Sequence, residues 1–378
     1  MDRPIYLDHN ATTPLAPGVL DVMTRYLGEE FGNPSSAHAY GDTPRQAIAT
    51  ARARLATLLG ASPSELVFTG CGTESNALAL MGIATDRAGH VITQATEHPA
   101  VLENCRALAA QGVRITVLPV DSNGLVDPGE LKEALTPATL LVSVMYANNE
   151  TGTIQPIAEL AGLAHQAGAL FHTDAAQAVG KIPLSVDELD VDLLTVAAHK
   201  FGGPKGVGAL YVRDGVTVRP IVRGGGQEHG LRSGTENVSG IAGLGVAAEV
   251  AAATVVEQRA RLVGLRDELL QLLVFNFGER VLLNGHPQLR LPNTLNVGFA
   301  GAVGAEVLAA VPEIAASTGS ACHDGSIGSP VLAAMGLDAD RAAGAIRLSL
   351  GRTTTEDDIR TTAGLLTNAV RAIGSHGG

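Results

Sequence analysis

The sequence predicts an α/β fold, with a large domain on a mostly parallel sheet flanked by helices and a smaller α+β C-terminal domain. Three observations predict it. Between about residues 65 and 213, short apolar runs alternate with helical patterns. Those runs are continuously apolar, as strands covered on both faces must be. From about 240 to 275 one long Ala/Leu/Val pattern with interleaved Arg and Glu separates this stretch from a second alternating one.

In chain order the strand runs are ELVFTG, HVITQA, VRITVLPV, TLLVSVMYA, ALFHTDA, DLLTVAA and GVGALYV. Their alternation with helices is the pattern of βαβ units, hence a parallel sheet with helices on both sides. The pattern over 240–275 reads as one long helix bridging into the second domain, with its Gly-rich beginning the weakest part. Beyond it, strands are expected at VLLNG, TLNVGF and AIRLSLG, and helices at GAEVLAAV, SPVLAAMG and EDDIRTTAGLLTNAVRAI. The expected division is a large domain over 14–255 and a small domain made of 1–13 with 256–378.

Composition bounds the function. The 378 residues are 46% hydrophobic and 17% charged, enough apolar content for a large core and a smaller one. A net charge of −12 argues against direct nucleic-acid binding, which rests on Lys and Arg against phosphates. No apolar run reaches the roughly 18 residues a membrane span needs, and MDRPIYLDHNATTP lacks the basic and apolar segments of a signal peptide. A cytoplasmic protein without membrane contact is expected. The three cysteines, at 71, 105 and 322, form no metal-binding spacing.

In open α/β sheets ligands bind at the carboxyl ends of the strands, so the polar residues there are the candidates. FTGCGTESN places Gly70, Gly72 and Thr73 between a strand and a helix, where free N–H groups suit a phosphate, although an ordinary capped turn has the same pattern. ALFHTDAAQ ends in Asp174 with Gln177 beyond, and DLLTVAAHK ends in His199 and Lys200. A lysine able to form a Schiff base and a carboxylate able to hold a pyridinium nitrogen are the two groups pyridoxal phosphate requires. Taken singly, Lys200 reads as well as a solvated lysine and Asp174 as a helix cap. His98 follows another strand and could stack on a ring or relay protons; Asn148, Asn149 and Glu150 end the strand before Asp174. Cys105 falls in a helical pattern and reads as a small core residue, whereas Cys322 lies in STGSACHDGSIGSP, a Gly/Ser-rich setting suited to a reactive thiol.

These motifs resemble the cysteine desulfurases of the NifS/IscS kind, class-V enzymes of the fold-type I pyridoxal-phosphate group. The similarity runs from YLDHNATTP and FGNPSSAH through TESN, TEHPAVL, NNETG, HTDAAQ, HKFGGPKGVGALY, GGGQEHGLRSGTEN and LPNTLNV to STGSAC and IRLSLGR. The resemblance implies a fold-type I transferase with pyridoxal 5′-phosphate linked to Lys200, stacked under His98 and bound at its ring nitrogen by Asp174. It further implies Gln177 near the ring hydroxyl, Asn149 beside cofactor and substrate, and Gly72, Thr73 and His199 on the phosphate. Thr235 of a second copy would join them, so a homodimer is expected. Arg347 would clamp the carboxylate of an L-cysteine substrate, and Cys322 would take its sulfur as a persulfide for a sulfur-acceptor protein. No resident metal is implied, with a transient iron–sulfur contact through Cys322 left open. Two departures stand out. Ala197 occupies a position where many members have a phosphate-binding Ser, and ACHDGSIGSPVL has selenocysteine lyase-like elements, with the role of His323 open. The alternatives are a selenocysteine lyase, a class-V aminotransferase-like enzyme that does not use Cys322, and a silent scaffold.

Overall fold

The computed structural model describes residues 3–85, 88–318 and 328–374; Cys322 and His323 lie outside the described residues. The strands are β1 (Ile5–Tyr6), β2 (Leu66–Thr69), β3 (His90–Gln94), β4 (Arg114–Leu118), β5 (Thr139–Ser143), β6 (Leu170–Asp174), β7 (Leu193–Ala197), β8 (Gly208–Val212), β9 (Val281–Asn284), β10 (Thr294–Phe299), β11 (Ile314–Ala315) and β12 (Ala345–Ser349). The seven apolar runs of the first half form one sheet of order β2-β8-β7-β6-β5-β3-β4. Only β8 runs against the others, pairing antiparallel with both β2 and β7. Strands β2, β3, β6, β7 and β8 are buried almost throughout, the condition that makes their sequences continuously apolar.

The Ala/Leu/Val pattern is a single helix, Val238–Phe277, started by Asn237, whose side chain accepts from the backbone N–H of Gly240 at 3.0 Å. Its Gly-rich beginning is helical because close packing demands small residues there. A Cβ on Gly245 would lie 2.6 Å from Ala51 of the helix Ala39–Leu59, and one on Gly243 would lie 3.0 Å from Met23 of the helix Val19–Gly28. Over about 18 residues this helix is apolar enough by length and composition to cross a membrane, which corrects the expectation that no apolar run reaches that length; its residues belong to both hydrophobic cores. Ile241, Leu244 and Ala248 pack under the large sheet, whereas Leu262, Leu265, Leu269 and Leu273 pack on the second sheet. Burying each of these leucines contributes about 1.5–3 kcal/mol.

The second sheet is antiparallel, β12-β10-β9. The N-terminal arm joins it: β1 pairs with β11, Leu7 sits in its core, and Asp8 bridges to Ser349. After Asp8 the chain crosses to the large sheet, where Thr13 N–H donates to the carbonyl of His199 at 3.0 Å. The arm therefore lies between the two cores, beside the carboxyl ends of the central strands.

Candidate active site

Five segments leave the carboxyl edge of the large sheet and converge on one cleft of about 310 Å³. It is lined by Gly72, Thr73, Asn76, His98, Asn149, Asp174, Gln177, His199, Lys200 and Arg347, among others. Of the ten site residues in the described residues that the resemblance implies, nine meet there: Gly72, Thr73, His98, Asn149, Asp174, Gln177, His199, Lys200 and Arg347. The tenth, Thr235, lies in another hollow with Gly70, Arg232 and Glu236. Cys322 falls outside the described residues.

The helix Gly72–Ala84 opens into the cleft, and no side chain caps its first N–H groups. Thr69 and Ser75 instead bond each other at 2.7 Å, and the Glu74 carboxylate turns back to the N–H of Gly70 at 2.8 Å. Glu74 also pairs with Arg232 at 2.8 Å, which ties the GGGQEHGLRSGTEN loop to this helix. The free N-terminal donors and the helix dipole favour an anion. Gly72 keeps that floor open: a Cβ there would come within 3.2 Å of the Ala197 methyl.

Asp174 ends β6 almost wholly buried, with Oδ2 accepting from Asn76 Nδ2 at 2.7 Å and Oδ1 from the N–H of Ala176 at 2.9 Å. Those two donors aim the carboxylate. Asn76 went unremarked in the sequence, although its place one turn into the TESN helix was the available signal. His98 caps the helix Pro99–Ala110, its Nδ1 accepting from the N–H of Ala100 at 3.0 Å. The proton of the neutral ring is therefore on Nε2. Burial and the nearby Lys200 hold its pKa below the usual value against the opposing pull of Asp174.

His199 leaves β7 with Nδ1 against Thr12 Oγ1 at 3.1 Å, and burial with nearby lysines pushes its pKa down to about 4. Lys200 is the central amine. Burial, then Arg347, lowers its pKa to about 8, opposed by Asp174 and Asp8. Arg347, on β12 of the second sheet, reaches across to donate to the Asn149 carbonyl at 3.1 Å and to Asp8 Oδ1 at 2.7 Å. Its Nε is buried without a partner among the described residues. Cys105 is buried, and its thiol is pushed up to about 12, as fits a core residue; Cys71 is exposed at the cleft.

The model of the class-V aminotransferase family matches residues 5–361. The cysteine desulfurase IscS of Dictyoglomus turgidum is 46% identical over 379 residues, covering 99% of this chain and 96% of that protein. The chain belongs to the cysteine desulfurases of the class-V aminotransferase family. The cysteine desulfurase of Mus musculus is 45% identical over 96% of this chain and 80% of its own length. Among solved structures, a NifS-like protein superposes with a TM-score of 0.91 at 39% identity, covering 97% of this chain and 99% of its own. A structure described as SspA in complex with cysteine has a TM-score of 0.80 at 37% identity, covering 91% of this chain and 98% of that one. The fold is thus that of the fold-type I enzymes, and the family works with pyridoxal phosphate. The donor set fits that group, with uncapped N–H groups for a phosphate, an aimed carboxylate for a ring nitrogen and a partly deprotonated amine for an aldehyde.

Proposed function

We propose that this protein is a cysteine desulfurase that moves the sulfur of L-cysteine onto Cys322 as a persulfide and releases L-alanine. The observation that carries the reading is the convergence of Lys200, Asp174, His98 and Arg347 on one cleft between the sheets. Gly72, Thr73 and His199 would hold the cofactor phosphate, which without a serine at Ala197 would lean on backbone donors. Asp174 would keep the ring nitrogen protonated, with His98, Gln177 and Asn149 as the other residues available to bind the ring. When bound, pyridoxal phosphate supplies an aldehyde for amine exchange and a ring that withdraws electrons from the substrate.

The residues of the chain do the rest. Arg347 presents a guanidinium to the substrate carboxylate, a planar acceptor that matches its geometry. The amine of Lys200, with its pKa near 8, exists partly as free base at neutral pH and can take up and return a proton. The thiolate of Cys322 attacks the substrate sulfur, so an S–S bond forms as the Cβ–S bond breaks and its electron pair stays with carbon. One proton, the one Cys322 gave up on becoming a thiolate, completes the alanine methyl group, and the hydrogen of the substrate thiol stays on the persulfide. L-cysteine and a thiol become L-alanine and a persulfide, with no outside oxidant.

Thr235 lies away from the cleft of its own chain, which supports a homodimer in which it completes the phosphate site of the second copy. The persulfide then passes to a sulfur-acceptor protein serving iron–sulfur cluster, thio-cofactor or tRNA synthesis, in the cytoplasm. Incubation with L-cysteine and a thiol reductant should give alanine and sulfide in equal amounts, and Lys200→Ala should give neither while losing the absorbance of bound cofactor. 3-Mercaptopyruvate in place of alanine would identify an aminotransferase, and turnover of selenocysteine alone a selenocysteine lyase.

A further inference from the structure

The arm segment YLDHNATTP bonds to Arg347, Asn149, Gln177, His199 and Lys200 without supplying any of the cofactor donors described above. Its centre is Asn10, almost wholly buried. The side chain is clamped on all sides. Nδ2 donates to the Asn149 carbonyl at 3.1 Å and to Thr294 Oγ1 at 2.8 Å, and Oδ1 accepts from Lys181 Nζ at 2.9 Å and from Asn293 Nδ2 at 3.0 Å. The backbone N–H of Asn10 donates to Ser349 Oγ at 2.9 Å. What this clamp fixes is a carbonyl. The carbonyl oxygen of Asn10 accepts from Lys200 Nζ at 2.6 Å and from Gln177 Nε2 at 3.0 Å, and the next carbonyl, of Ala11, accepts from Lys200 Nζ at 3.0 Å.

We propose that Asn10 is a positioning residue for Lys200: its clamped side chain holds two successive backbone carbonyls where they orient the free amine. The inference rests on Lys200 being the cofactor-linking lysine. A lysine amine sits on a four-carbon stem with several rotatable bonds, and attack on an aldehyde requires it to be held close and aligned. Two carbonyls fixed by Asn10 restrict it without adding charge. Lys181 is the other half of the device. It is buried beneath the cleft, where its Nζ donates to Asn10 Oδ1 and to Gln177 Oε1. Burial, followed by the charges of Lys200 and Arg347, holds the Lys181 pKa well below its ordinary value. Through these two hydrogen bonds Lys181 braces Asn10 and Gln177 from below.

The test measures how fast the lysine links to the cofactor, with no substrate present. Cofactor-free native protein, Asn10→Ala and Thr294→Val are mixed with pyridoxal phosphate and quenched with borohydride at increasing times, and modification of the Lys200 peptide is followed by mass spectrometry. Asn10→Ala should slow the link about tenfold, because the amine is no longer held in place. Thr294→Val removes one of the bonds to Asn10 from the far side and should slow it less, in the same direction. Thermal melting of each variant confirms that it is folded. Linking at the native rate in folded Asn10→Ala overturns the proposal, and if that variant does not fold, a native rate in Thr294→Val overturns it. Linkage to a lysine other than Lys200 in the native protein would instead refute the assignment of Lys200 on which the inference rests.

Discussion

Replacing Arg347 by Met removes a guanidinium while keeping much of the side-chain volume, and its consequences follow from the contacts of that group. Arg347 donates to Asp8 at 2.7 Å and to the Asn149 carbonyl at 3.1 Å, and its Nε has no partner among the described residues. A substrate carboxylate taking two charge-assisted hydrogen bonds from it gains roughly 1.5–3 kcal/mol from each. Asp8 competes for the same edge, so the lower end applies, about 3 kcal/mol in all, or roughly a hundredfold in affinity. The KM for L-cysteine in alanine formation should rise by about that factor. A second effect is electrostatic. Arg347 is the charged neighbour that most lowers the Lys200 pKa, now about 8, so its loss favours the ammonium and moves that pKa up toward the ordinary lysine value. In cofactor-free protein, the pH at which Lys200 becomes half-reactive toward an amine-acylating reagent should rise accordingly. A lower kcat at unchanged KM, with the Lys200 titration unmoved, would refute this role.

Two further predictions concern stability. Glu228 is buried in the GGGQEHG turn, bonded to Arg52 at 2.6 and 3.0 Å and accepting from the N–H of Phe68 at 2.8 Å. It holds a stretch in which Glu228, His229 and Gly230 all have positive φ. Glu228→Ala leaves Arg52 and that N–H without their partner and should cost about 3 kcal/mol in denaturant unfolding; a change under about 0.5 kcal/mol would show that the pair is not structural. His9 and His172 are buried, and burial pushes both pKa values down to about 4. The unfolded chain takes up protons near 6.5 while the folded one does not, so the stability they confer is full above about pH 6.5 and lost as the pH falls to 4. The loss should approach about 3 kcal/mol for each histidine, and His172→Gln should flatten the acid limb of stability against pH.

The strands and the cleft were legible for one physical reason. Strands β2, β3, β6, β7 and β8 are covered on both faces, so their burial is written as unbroken apolar runs, and the residues that follow must lie at the carboxyl edge. The reversal of β8 was not legible, because the side-chain pattern of a buried strand carries no direction. The support of the site was hidden by distance in the chain. Asn10 meets Lys181, Asn293 and Thr294, and Asp8 meets Arg347, across 171 to 339 residues. Asn10 sits in a motif that the sequence displays and Lys181 in none of them, and the purpose of both appears only when the arm is seen crossing between the two cores.

The central claim, sulfur transfer from L-cysteine onto this chain, has one direct measurement. Holoprotein is incubated with L-cysteine without reductant, trapped with an alkylating reagent and digested, and the peptide containing Cys322 is weighed while alanine is counted. The account predicts one added sulfur on Cys322 for each alanine released in the first turnover, and neither in Cys322→Ala, which should still bind cofactor and L-cysteine. Alanine formed at the native rate by Cys322→Ala, or released with no sulfur on the Cys322 peptide of the native protein, would contradict it.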